Sequence, residues 1–201
     1  KVSSNGITVL ENWYDAGSRR LAKKDAAYAL YLLDGWESVA VLNQSGVAQE
    51  IFTRGVGIAG DIGTLVAITK LSTPAIYYAH HNHRGDVTTV RNGANTVSGY
   101  SYSAFGLQTS AFGSDLCRFK FSSKEREPTC GWSYYGYRFY APGWQRWPNR
   151  DSLGEEGGLN LYAFVNNNPI TRIDHLGLDG GDGGGTEAGQ GKEFWGRLVK
   201  T

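Results

Sequence analysis

The chain has 201 residues, 40% hydrophobic and 19% charged, a balance that suits one folded domain, or a domain with a tail, and excludes a disordered chain. Its net charge of +1 gives no global pull toward nucleic acid or a membrane surface, and no apolar run has the length of a transmembrane helix. With 28 glycines, 12 tyrosines, 6 tryptophans and two cysteines, the composition points to tight turns between aromatic-rich strands and not to a disulfide framework.

The lack of methionine, even at position 1, is expected of a fragment or a processed product, so a missing signal sequence says little about export. The first half reads as strand and turn in alternation. Tyr28-Ala29-Leu30-Tyr31-Leu32-Leu33 is a β-rich run stopped by Asp34-Gly35, a strong hairpin signal, and Trp36 to Leu42 resumes as a strand. Asn43-Gln44-Ser45-Gly46 turns again before Val47 to Thr53. Gly55, Gly57, Gly60 and Gly63 mark a glycine-rich connection that precedes Thr64 to Thr69. Ile76 to His80 leads through a turn at Arg84-Gly85-Asp86 into Val87 to Val90, and Arg91 to Asn95 turns into Thr96 to Tyr102. No long segment has helical periodicity, so an antiparallel β-sheet is expected over residues 1–112.

The hairpins are self-similar. Trp13-Tyr14-Asp15-Ala16-Gly17-Ser18-Arg19-Arg20-Leu21 sets an aromatic, an Asp and then a Gly before the next strand. Tyr31-Leu32-Leu33-Asp34-Gly35-Trp36 repeats the idea, and Tyr77 to Val87 does so more loosely. Stacked hairpins of this kind bury a continuous surface and leave edges that need neighbours.

From about Gly113 the pattern changes. Trp132, Tyr134, Tyr135, Tyr137, Phe139, Tyr140, Trp144 and Trp147 cluster between short polar links, which predicts a compact plug over 113–178 held by aromatic packing with little regular structure. Residues 179–201 begin as a glycine-rich linker and end in Lys192 to Lys200, two turns of amphipathic helix around Phe194, Trp195, Leu198 and Val199.

His81 and His83 are weak metal candidates: on a strand they share a face, and a third ligand would complete a site. Arg84-Gly85-Asp86 is better read as turn chemistry than as a recognition tripeptide. Gly99-Tyr100-Ser101-Tyr102-Ser103 lacks the second glycine of a nucleophile elbow. Cys117 and Cys130 can pair or stay free, and no cofactor fingerprint appears.

Trp13-Tyr14-Asp15-Ala16-Gly17-Ser18-Arg19-Arg20 resembles the YD repeat of RHS proteins. Phe119-Lys120-Phe121-Ser122-Ser123-Lys124-Glu125, Tyr134 to Tyr140, Arg146 to Tyr162, and Asn166 through Leu178 resemble the RHS-associated core domain of toxin-complex C components and polymorphic toxins. The resemblance covers nearly all of residues 13–178. It implies an all-β architecture, part of a hollow shell built from a spiralling antiparallel sheet and closed at one end by the core segment. The implied partners are the rest of the shell upstream of Lys1 and a C-terminal cargo, with no cofactor, no nucleic acid and a secreted or cell-surface location.

The resemblance also implies self-cleavage by an aspartyl-protease-like pair. Carried over by position, the pair is Asp151 and Asp174, with Arg138 upstream and a scissile bond between Leu178 and Asp179. Two nearby carboxylates resist joint ionisation, so one of a pair can activate water while the other polarises the carbonyl. Folding supplies the proximity, and the reaction is single-turnover. Both motif prolines are replaced, by Ser152 and His175, which removes a restraint on the backbone of each preceding Asp. The alternative is a free-standing derivative acting as an esterase-like hydrolase or as a surface- or carbohydrate-binding β-protein. A hydrolase predicts an open pocket with Ser or Asp in reach of His; a binding module predicts an exposed aromatic row.

Overall fold

The computed structural model describes residues 2–4, 7–58 and 61–178. The linker, the helix expected at 192–200, and Asp179 lie outside the described residues. Eleven strands form one antiparallel sheet in which each strand pairs with the next: β1 (Val2–Ser4), β2 (Ile7–Tyr14), β3 (Arg20–Lys24), β4 (Tyr28–Asp34), β5 (Glu37–Leu42), β6 (Ala48–Arg54), β7 (Leu65–Lys70), β8 (Ala75–His81), β9 (Val87–Asn92), β10 (Asn95–Tyr102) and β11 (Gln108–Gly113). A second sheet of three short strands, β12 (Glu125–Arg126), β13 (Ser133–Tyr134) and β14 (Phe139–Tyr140), lies in the C-terminal part. The fold is all-β, as the sequence predicts.

Two kinds of turn recur between the strands. Asp34 pairs with Glu37 and Asn92 with Asn95, leaving two-residue loops whose first residue is Gly35 (φ 59°) or Gly93 (φ 56°). Only glycine takes that position freely. The second kind recurs at Asp15, Asn43 and Asn82. In each, the Oδ1 atom accepts the amides two and four residues on, at 2.8 to 3.0 Å. The fourth residue is left-handed: Ser18 (φ 64°), Gly46 (φ 76°) and Gly85 (φ 76°). The ladder slips by one residue just before each turn, between Trp13 and Tyr14, Val41 and Leu42, and His80 and His81. This Asp/Asn-x-x-Gly turn is the structural content of the repeat. Ser103 closes a fourth copy, its Oγ accepting Leu107 N–H at 3.1 Å, with Gly106 at φ 80°.

One face of the sheet carries the core. Ala29, Tyr31, Val41, Phe52, Leu65, Ile68, Val87, Val90 and Tyr100 pack with Cys117 and Phe119, the first side chains of the plug segment. Phe52 meets Phe119 edge to face, with centroids 4.9 Å apart. The plug has its own centre, where Phe121, Tyr135, Tyr140, Trp147, Phe164 and Val165 are buried together. Tyr140 and Phe164 stack at 3.9 Å. Tight aromatic packing forces unusual backbone here: Ser122, Ser123, Val165, Asn166 and Asn167 all have φ between 42° and 56°. Left-handed backbone costs an L-residue about 1–2 kcal/mol, and for β-branched Val165 it is tolerated because the side chain is fully enclosed.

Between sheet and plug lies a buried ionic network. Arg20 of β3 donates to both Glu125 and Glu127, and Lys23 Nζ lies 3.0 Å from Glu125 and 2.9 Å from Glu127. The Tyr31 hydroxyl donates to Glu125 Oε1 at 2.9 Å, and Arg118 Nη1 donates to the same atom at 2.8 Å. Burial pushes the Glu125 carboxyl up, but Arg20, Lys23 and Arg118 outweigh it and hold the group far below the ordinary carboxylate range. The sheet thus reads the plug through specific charges as well as through apolar contact.

Candidate cleavage site

The segments 151–154 and 174–177 repeat the turn that joins the strands. Asp151 Oδ1 accepts Leu153 N–H at 2.9 Å, its carbonyl accepts Gly154 N–H at 3.2 Å, and Gly154 is left-handed (φ 61°). Asp174 Oδ1 accepts the amides of Leu176, Gly177 and Leu178 at 3.1, 2.6 and 3.2 Å, and Gly177 is left-handed (φ 78°). Without the motif prolines, Ser152 and His175 still sit in well-formed turns, because the carboxylate itself closes them.

Committing Oδ1 to the turn leaves Oδ2 of each Asp to face inward, onto one guanidinium. Arg138 Nη2 lies 2.8 Å from Asp151 Oδ2 and 3.9 Å from Asp174 Oδ2. The closer contact is an ion pair, and Asp151 Oδ2 has no hydrogen-bond partner among the described residues. Arg138 Nε donates to Gly177 O at 2.5 Å, and the guanidinium lies 4.2 Å over the fully buried Trp147 ring. Arg138, Asp151 and Asp174 are themselves no more than 5% exposed. Tyr137 N–H donates to Leu176 O at 3.0 Å, so the chain up to Leu178 is laid beside 135–138. The three residues picked from the sequence therefore meet at one buried point, against the backbone one peptide before Leu178. Asp179, the other half of the expected scissile bond, lies outside the described residues.

The other candidates separate. β8 ends at His81, because Asn82 opens a turn, so His83 lies in that turn and does not share a strand face with His81. Burial, and after it His80, pushes the His81 imidazole down from its ordinary value. Among the described residues no group of three or more His, Cys, Asp or Glu is placed to hold a metal ion. Cys117 and Cys130 are free thiols. Ser101 borders a groove across β9 to β11 shared with Asn82, Arg84 and Phe112, and no histidine lines it. His175 does approach Asp61, Nε2 to Oδ1 at 3.3 Å, but Nε2 already accepts the Asp61 amide at 3.2 Å. That lone pair is not available to a hydrolytic serine. Sequence reasoning did not find Asp61 or Lys124, whose link to the acidic turn spans distant parts of the chain and carries no local signal.

An eleven-strand sheet of repeated Asp/Asn-closed hairpins, packed on an aromatic plug that ends in two acidic turns, defines a YD-repeat shell segment. No family model matches the chain. It is 46% identical over 59 residues to toxin subunit YenC2 of Yersinia entomophaga, a match covering 29% of this chain and 6% of that protein. It is 28% identical over 170 residues to the tRNA3(Ser)-specific nuclease WapA of Bacillus spizizenii, covering 80% of this chain and 7% of the relative. Among solved structures, the TcdB2–TccC3 complex without its hypervariable C-terminal region superposes with a TM-score of 0.64 at 26% identity, over 84% of this chain and 9% of that one. In fold and in sequence the chain is thus similar to RHS and toxin-complex proteins. It spans less than a tenth of each of these relatives.

Proposed function

We propose that this chain is the closing end of an RHS-type shell and that it cuts its own backbone between Leu178 and Asp179. In this reading residues 1–112 are shell wall, 113–178 the plug, and 179–201 the start of what is released. The wall continues upstream of Lys1, and a cargo follows the cut. The protein is exported, to the medium or the cell surface. Among the described residues no helix is long and apolar enough to cross a membrane.

The observation that carries the reading is the convergence of Asp151 and Asp174 on Arg138, whose Nε holds the Gly177 carbonyl. One aspartate, as the carboxylate, takes a proton from water, the water oxygen adds to the Leu178 carbonyl carbon, and the other, as the protonated carboxylic acid, donates its proton to the carbonyl oxygen. The C–N bond then breaks, the proton goes to the Asp179 amine, and Leu178 leaves as a carboxylate. Arg138 keeps the pair oriented. Intact mass tests the reading. The wild type is expected to lose everything from Asp179 onward, and Asp151→Asn and Asp174→Asn are each expected to remain whole. A folded wild type that stays whole at every pH and time overturns it.

A further inference from the structure

The glycine-rich connection between β6 and β7 does more than link two strands. Its Ile62 is fully buried, and its Gly63 N–H donates to Ser123 Oγ at 2.8 Å. Ser123 Oγ in turn donates to Gly85 O, at 2.6 Å, in the turn between β8 and β9. Two loops of the sheet are thus bolted to the short segment 121–124. At the end of that segment is Lys124, 3% exposed, whose ammonium donates to Asp61 Oδ1 and to the carbonyl of His175, each at 2.5 Å. The Asp61 amide donates to His175 Nε2 at 3.2 Å.

His175 directly follows Asp174, so the acidic turn is gripped from two sides. From within the plug, Tyr137 N–H and Arg138 Nε take the carbonyls of Leu176 and Gly177. From the other side, Lys124 of the segment that the sheet's loops bolt down takes the carbonyl of His175, and Asp61, in one of those loops, takes its imidazole. We propose that Lys124 and Asp61 are positioning residues for the cleavage site, holding the Asp174 turn in register only when the sheet's loops are docked on the plug. The proposal rests on the self-cleavage reading. Its consequence is that cleavage is tied to shell closure: a plug not seated on its wall loses Asp61 and the loop contacts that fix Lys124, so the His175 end of the turn is held only by an unanchored side chain, and the chain stays whole. Burial pushes the Asp61 carboxyl up, but its charged surroundings, Lys124 foremost, more than offset that and leave it below its ordinary value, consistent with an ion pair in the clamp.

The test uses the full chain refolded from denaturant, with cut fraction followed by intact mass and backbone protection at residues 176–178 by hydrogen exchange. Lys124→Gln and His175→Ala are expected to cut about tenfold more slowly or worse, with an unchanged pH profile and faster exchange at 176–178. Lys124→Arg, which keeps the cation, is expected to recover most of the rate. Variants that remain folded and cut at the wild-type rate overturn the proposal and leave the cleavage reading standing. A wild type that never cuts overturns both, and the wild-type arm distinguishes that result from the previous one.

Discussion

At the scale of the residue, a single carboxylate does two jobs at Asp151 and Asp174. Oδ1 closes a turn and Oδ2 faces Arg138. Asn43 and Asn82 show that an amide oxygen closes the same turn. Asp151→Asn and Asp174→Asn keep the turn acceptor, and the remaining carboxylate still faces Arg138, so each is expected to cost less unfolding free energy than alanine at the same position. Alanine at either position removes the acceptor from buried amides and is expected to cost about 1–3 kcal/mol. Urea unfolding of the four variants checks this, and equal losses for Asn and Ala would contradict the split of roles. Ser18 offers a second case. It holds at φ 64° the place that Gly46 and Gly85 take in the other copies. Ser18→Gly relieves left-handed strain and loses some unfolded-state restraint, for an expected net gain of roughly 0.5 kcal/mol in the same measurement.

At the scale of elements, the contact of β3 and β4 with β12 depends on charge. Glu125→Gln removes one of the two buried carboxylates that face Arg20 and Lys23, leaving Glu127, and is expected to cost about 1.5–3 kcal/mol, the range for a hydrogen bond to a charged group. Glu50, held by Arg118 and Lys70, and Asp61 also have carboxyls below their ordinary values once burial, which raises them, is outweighed. A depressed carboxyl contributes stability that is complete above its unfolded value and is lost as pH falls toward the folded one. The chain is thus expected to hold its stability down to about pH 4.5, the ordinary value for Glu, and to lose it progressively below. Thermal unfolding between pH 3 and 7 reads this directly, and Glu125→Gln should flatten the slope. None of these pairings was legible in the sequence, since Arg20 and Glu125 come from opposite ends of the chain. The strands were legible, because alternation and turn residues are local signals. The plug was legible only as aromatic clustering, since its left-handed turns at 122–123 and 165–167 sit among side chains brought in from distant parts of the chain, and Asn166 and Asn167 alone do not announce them. His83 was misplaced although the signal was present: Asn82-x-x-Gly85 marks the same turn as Asn43-x-x-Gly46, and reading it as one would have ended the strand at His81.

At the scale of the whole molecule, sheet and plug form one cooperative body, because the core of the sheet is completed by residues that follow its last strand. Cys117 sits at that seam. It is 1% exposed among Phe52, Phe119 and Tyr100, its Sγ donates to Phe119 O at 3.1 Å, and burial pushes its thiol up to about 11. Cys130, half-buried beside the groove of Trp132 and Trp144, lies outside the seam. A thiol reagent at neutral pH is therefore expected to modify Cys130 promptly and Cys117 only when the plug lifts from the sheet, since the thiolate reacts and needs access. Mass spectrometry of the time course separates the two sites. Glu125→Gln, which loosens the seam without touching either cysteine, is expected to speed Cys117 modification while leaving Cys130 unchanged. The same opening undoes the sheet-side hold on His175, so variants that expose Cys117 faster should also cut more slowly after Leu178. Rapid modification of Cys117 in the intact protein would mean that sheet and plug separate readily. The acidic turns would then have to assemble without the wall, and the proposed dependence of cleavage on docking would lose its structural basis.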